Sequence, residues 1–165
     1  FRQAFKEYSD LSDDEIKSML TFGQGPLIKV ENLDRDSDGD GVLDKFINGS
    51  TFGYIDKKTN IVSNANNGEG LISIDDDVAN KMENASNEKE YQKGKMLVES
   101  TVFHEGTHFG DNKDGKQEMY ETGKEFEKTV YRSDVGRSNF NQVYENLNTV
   151  EMYPDEKEVH FETPQ

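Results

Sequence analysis

Two of the three histidines in this 165-residue chain fall within one short run, H-E-G-T-H at 104–108. The run constrains the fold, because positions i and i+4 share a face only on a helix. There both imidazoles can reach one metal ion, and neutral imidazole binds Zn²⁺ at about 2.0–2.1 Å. Glu105, beside the first histidine, could then take a proton from a water that the ion has made acidic. The alternative is a surface helix with two unrelated histidines.

The surrounding sequence predicts the helix that this run requires. Residues at helical spacing extend from about 88 to 109, and Gly110 should end the helix. A second helix is expected over 117–131, and the short loop between the two favours antiparallel packing. Further helices are expected over 13–21, opened by a capping box at 12–15, and over 138–148. Candidate strands lie at 27–30, 51–55, 60–63, 71–74 and 158–161.

Composition narrows the classes of function. The chain carries 34 acidic and 19 basic side chains, a net charge of −15, which argues against a nucleic-acid ligand. No apolar run approaches the roughly 20 residues of a membrane helix, and the absence of cysteine excludes disulfides and thiolate metal sites. The length suits a single domain, 1–165. Because the chain begins at Phe1, we expect a processed or excised domain of a longer protein.

A catalytic zinc usually has three protein ligands, so a third must be found besides the two histidines. Glu121 is favoured, because it lies centrally in a stripe of glutamates on the second helix, expected beside His108. Asp111 is the alternative, because the i, i+4, i+7 spacing places it on the same helical face as both histidines. If it is not a ligand, it could accept a hydrogen bond that orients an imidazole. Asp114 is a further alternative. Donors available to a developing oxyanion include Tyr153 and His160.

The run at 104–108 resembles the active-site helix of the zincin metallopeptidases. The longer stretch H-E-G-T-H-F-G-D at 104–111, with E-T-G at 121–123 and F-E at 126–127, is similar to the metallopeptidase toxin domains of bacterial polymorphic toxins. This resemblance covers about 95–131. It implies a protein or cell-wall peptide as target and a cognate immunity protein as partner.

A second motif, D-R-D-S-D-G-D-G-V-L-D, occupies 34–44. Ca²⁺ takes six to eight oxygen ligands, which alternating aspartates and a backbone carbonyl can supply around a glycine turn. A loop starting at Asp34 would place Lys45 at the closing ligand, so a start at Asp36 is preferred. The expected calcium ligands are Asp36, Asp38, Asp40, Val42 and Asp44, with Asp34 beside them. The loop is similar to those of dockerins and thrombospondin type 3 repeats, and a weak site of this kind indicates a secreted, extracellular or periplasmic setting.

Together these features predict an α+β, zincin-like domain. A small, mostly antiparallel sheet should pack on the helix at 88–109 and on the antiparallel helix at 117–131. An edge strand near 71–74 should pair with an extended substrate. The expected activity is peptide-bond hydrolysis, with zinc as catalytic metal and calcium as structural metal. The competing hypothesis is a calcium-stabilised extracellular binding module without catalysis.

Overall fold

The computed structural model describes residues 1–9, 11–21, 24–35, 47–52, 65–66, 69–111 and 121–149, and within them the fold is a mixture of helices and a small sheet. No helix in these ranges is long and apolar enough to cross a membrane. The elements in chain order are α1 (Arg2–Ser9), α2 (Asp13–Met19), β1 (Leu27–Glu31), β2 (Gly49–Phe52), β3 (Ala65–Asn66), β4 (Glu69–Asp75), α3 (Asp76–Glu83), α4 (Glu88–Asp111), α5 (Thr122–Tyr131) and α6 (Phe140–Thr149).

Strand β4 is the centre of the sheet. It pairs in parallel with β1, from Leu27 opposite Leu71 onward, and antiparallel with β2, from Gly49 opposite Ile74 onward. The short β3 adds an antiparallel pair at the start of β4. The expectation that 71–74 forms an edge strand was therefore wrong. The segment 71–74 contains no charged residue or proline of the kind that protects exposed sheet edges, as expected for a strand that is hydrogen-bonded on both sides.

Helix α4 is the longest element of the described chain, and it contains the run at 104–108. One face packs on the sheet and on α3 and α6, in a core of Ile72, Ile74, Val78, Met96, Leu97, Val135, Phe140 and Val143. Helix α3 was not expected from the sequence. It begins directly after β4 because the Asp75 side chain caps it, accepting a hydrogen bond from the amide of Asp77 at 2.9 Å.

Helix α1 covers the other face of α4, and the sequence did not predict it. Phe5 and Phe126 are completely buried there, with ring centroids 5.2 Å apart. The approach is close, because a methyl group at Gly106 would lie 2.9 Å from Phe5 Cζ. The glycine inside the H-E-G-T-H run therefore gives α1 room to dock, which ties the fold of the N-terminus to the candidate site.

Several expected elements appear with shifted bounds. The capping box at Ser12 and Glu15 is confirmed and opens α2, which ends at Met19. Helix α6 begins two residues later than expected, and β2 overlaps the strand expected at 51–55. Helix α5 begins at Thr122, while 112–120 lie outside the described residues, as do the strands expected at 60–63 and 158–161. A single domain over 1–165 stays a prediction.

Replacing Phe5 by alanine should destabilise the protein by about 3–5 kcal/mol, because it empties a fully buried ring site. Phe1→Ala is the matched control, since Phe1 belongs to the same aromatic cluster but is 50% exposed. Urea unfolding followed by circular dichroism would measure both changes. Equal losses for the two variants would contradict the role given to α1 packing.

Candidate metal centre

The structure brings His104, His108 and Glu121 together. One potential ligand atom from each lies within 4.8 Å of the others. Glu121 Oε1 is 2.5 Å from His108 Nε2 and 3.5 Å from His104 Nε2. Tetrahedral zinc with bonds of about 2 Å holds its donor atoms roughly 3.3 Å apart. The observed separations lie on both sides of this value, and the three side chains are of the right chemistry and close enough to hold one small divalent cation.

Glu121 reaches the histidines because it lies at the end of α5. It is the residue preceding the first turn, and its side chain makes no capping hydrogen bond to the helix. Its backbone carbonyl accepts the amides of Lys124 and Glu125 at 3.1 and 3.2 Å, which anchors the residue. The carboxylate is thus left to face His108, although the sequence placed Glu121 inside a helix rather than before it.

Gly123 allows α5 to approach the first histidine. A methyl group at this position would lie 2.4 Å from His104 Cδ2 and 2.5 Å from Nε2. Any side chain there must displace the imidazole or the helix. The G of the E-T-G sequence is therefore a spatial requirement of the candidate metal centre, and Glu121 depends on the same contact.

The other nitrogen of His104 faces a buried carboxylate. Glu127 Oε1 lies 3.4 Å from His104 Nδ1, and Glu127 Oε2 accepts the amide of Val135 at 3.0 Å. Burial, the largest single influence, lowers the pKa of His104, but the hydrogen bond and charge of Glu127, with the charges of Glu105 and Glu121, raise it overall. Such a carboxylate fixes the ring so that Nε2 points at the metal position.

Sequence reasoning did not single out Glu127 as a site residue. The available signal was an acidic residue directly after Phe126 on the apolar face of a helix, where an unpaired carboxylate is costly. The partner that makes this burial acceptable, His104, is distant in sequence, so only the packing of α5 on α4 reveals it.

Glu105 is buried beside strand β2. Its side chain accepts a hydrogen bond from the Thr51 hydroxyl, which lies 2.7 Å from Oε2 and 2.8 Å from the Glu105 carbonyl oxygen. Burial raises the pKa of Glu105 above its ordinary value, while the Thr51 hydrogen bond and the nearby histidines act to lower it. Gly49 keeps the strand close, since a methyl group there would lie 2.8 Å from Glu105 Cγ.

A cavity of about 320 Å³ opens next to these residues. Its walls include His104 and Glu105 from α4, the residues 47–49 at the start of β2, and residues 134–136 and 138–139 after α5. An extended peptide or a side chain could enter this space and meet both the imidazole and the Glu105 carboxylate. The cavity therefore borders the candidate metal centre at His104 and Glu105.

Asp111, the alternative third ligand, is not part of the three-residue group. It is buried, and its Oδ2 accepts a hydrogen bond from the Thr122 hydroxyl at 2.5 Å. The same hydroxyl lies 3.4 Å from His108 Nδ1. Thr122 thus connects Asp111 with the second histidine, which leaves His108 Nε2 directed at Glu121. Asp114, Tyr153 and His160 lie outside the described residues.

The expected calcium ligands at 36, 38, 40, 42 and 44 also lie outside the described residues. Asp34 is described, and its buried Oδ1 lies 3.7 Å from Arg137 Nη1. The structure places this carboxylate against a cationic side chain. A calcium site at 34–44 stays a prediction from the sequence.

Comparison with known proteins identifies one family. The model of the family described as metallopeptidase toxin 3 matches residues 1–132, which include the whole of α4 and α5. This match confirms the resemblance to metallopeptidase toxin domains. No curated protein and no solved structure matches the chain. A metallopeptidase family implies a metal ion, and the chain offers His104, His108 and Glu121 as one group that could hold it.

Gly123→Ala should weaken zinc binding by roughly 10- to 100-fold, because the added methyl group displaces the His104 ring. Gly136→Ala is the matched control: it lines the same cavity, and its methyl group would meet nothing closer than 3.6 Å. Competition with a chromophoric chelator measures both affinities. Unchanged zinc affinity in Gly123→Ala would contradict the placement of His104 at the metal.

Glu127→Gln should also weaken zinc binding by roughly 10- to 100-fold, because the amide cannot replace the charged partner of His104 Nδ1. Glu125→Gln serves as control, since Glu125 lies on the same helix, has a partly exposed side chain and forms an ion pair with Lys128 at 2.7 Å. Isothermal titration with Zn²⁺ would compare them. The interpretation fails if both variants bind zinc as tightly as the wild type.

Proposed function

Since the chain belongs to the metallopeptidase toxin 3 family, we propose that it is a zinc-dependent peptidase domain of a toxin or effector. His104, His108 and Glu121 would hold the zinc, and Glu105 would act as general base and acid. The observation that carries the proposal is the convergence of these three side chains beside a buried glutamate, with a cavity lined by His104 and Glu105 next to them.

When bound, zinc supplies a Lewis acid that polarises the substrate carbonyl and makes the attacking water more acidic. Glu105 would accept the proton of that water and later deliver it to the leaving amine. Its buried position favours this exchange, because a raised pKa makes a carboxylate a better proton acceptor. Thr51 would hold the Glu105 carboxylate in one orientation through its hydroxyl.

Strand β2 is better placed than 71–74 to receive an extended substrate. It pairs with β4 on one side, and its residues Gly49 and Thr51 contact Glu105. Within the described residues no strand pairs with its other side. A peptide added along that side would present its backbone beside Glu105 and the candidate metal centre.

The family also supports a proposal about biological setting. Because the family is described as a metallopeptidase toxin family, we propose delivery to an extracellular or periplasmic site, a protein or cell-wall peptide as substrate, and a cognate immunity protein as inhibitor. The net charge of −15 makes a nucleic-acid target unfavourable.

Glu105→Gln tests the proposed function. The variant should retain about one zinc per chain, because Glu105 is not a ligand, and should lose peptidase activity by a factor on the order of 10² or more. Zinc content is measured by elemental analysis, and activity by cleavage of β-casein and of an internally quenched peptide library. Glu99→Gln, an exposed position on the same helix, is the control that should keep full activity.

Two results would overturn the proposed function. One is a wild-type protein that takes up no zinc after loading; the other is equal peptide cleavage by wild type and Glu105→Gln. If the proposal holds, the His104→Ala/His108→Ala double variant should bind no zinc. A wild type without zinc would favour the calcium-stabilised binding module instead.

A further inference from the structure

Arg137 lies in the segment between α5 and α6, beyond the residues that the family model matches. Only 13% of its side chain is exposed. Its guanidinium contacts groups from three other parts of the chain. The partners are Ile47 O at 2.5 Å, Asn48 Oδ1 at 3.1 Å, Asp75 Oδ1 at 3.1 Å, Asp77 Oδ2 at 3.3 Å and Asp34 Oδ1 at 3.7 Å.

One side of this guanidinium holds the residues that lead into β2. Arg137 Nη2 donates to the carbonyl oxygen of Ile47, and Nε donates to the side chain of Asn48. The next residue, Gly49, begins β2 and lies directly against Glu105. The position of these two residues therefore sets where β2, and with it Thr51, meets the Glu105 carboxylate.

The other side of the guanidinium is bound to a rigid part of the fold. Asp75 is completely buried, and its carboxylate accepts the amides of Leu33 and Asp77, each at 2.9 Å. The backbone amide of Asp75 donates to the carbonyl of Asn48 at 2.9 Å. Arg137 thus joins the start of β2 to the junction of β4 and α3, in a planar, multidentate geometry that lysine cannot reproduce.

We infer that Arg137 is a positioning residue for the proposed peptidase, which holds β2 in the register and distance that orient Thr51 on Glu105. It lies outside the group of proposed metal ligands and acts on Glu105 only through β2. The inference rests on the proposed function for its catalytic consequence, while the tether of β2 itself is independent of that function. The inference also means that the segment after residue 132 contributes to the proposed active site.

Arg137→Lys tests this inference, because lysine keeps a cation near Asp75 but cannot bind Ile47 and Asn48 together. Hydrogen–deuterium exchange of the zinc-loaded protein should show faster uptake at 47–52 and unchanged uptake in α4. For β-casein cleavage, kcat should fall roughly 10- to 100-fold with KM and zinc content little changed, since a displacement of about 1 Å can cost that much. Arg2→Met, at an exposed ion pair, is the control and should change neither.

Two further variants keep the test decisive if Arg137→Lys folds poorly. Asn48→Ala removes one of the two tethering contacts and should give a smaller change of the same kind. As a single substitution, Thr51→Val should lower kcat. In the Arg137→Lys background it should cause little further loss of kcat, because both substitutions act on Glu105 through β2.

Unchanged uptake at 47–52, or additive losses in the double variant, would overturn the inference and leave Arg137 with a general role in stability. The two proposals are distinguished if the wild type cleaves no peptide while Arg137→Lys still shows faster deuterium uptake at 47–52. That result would overturn the proposed function while supporting the tether of β2.

Discussion

The contact between Gly123 and the His104 imidazole is the constraint on which the candidate site depends. It sets the separation of α5 from α4, and the same separation delivers Glu121 to His108 and Glu127 to His104 Nδ1. A side chain at 123 would displace the imidazole or the helix, and either shift would disturb the contacts of Glu121 and Glu127 with the histidines. The absence of a Cβ at this position thus lets two histidines on one helix and a carboxylate from the next come together as potential ligands.

Electrostatics favour a cation at that group. Glu105 and Glu127 are buried and Glu121 is half-exposed, and all three act on the charge of His104. Carboxylates so close together, with so little water, are stabilised by a positive charge at their centre. The same acidity would repel the phosphates of nucleic acid, so the local and overall charges of the chain favour the same class of ligand.

The sequence predicted much of the helical framework and the main components of the site. It placed one helix across 104–108, a second helix ending at residue 131, and Glu121 near His108. It did not predict α1, whose eight residues carry too few periodic positions to stand out, and it took the central strand β4 for an edge. Both features depend on contacts with residues far along the chain, which no local pattern records.

What the sequence determined by itself is the chemistry that was available: two imidazoles one helical turn apart, a glutamate between them, and an excess of carboxylates, because i, i+4 geometry is local. The tertiary structure alone decided which carboxylates lie beside the histidines. It brought Glu121, rather than Asp111, into one group with both histidines, buried Glu127 behind His104, and placed β2, whose preceding residues Arg137 binds, against Glu105. These outcomes depend on how closely helices and strands approach one another, and that distance is set by packing across the whole fold.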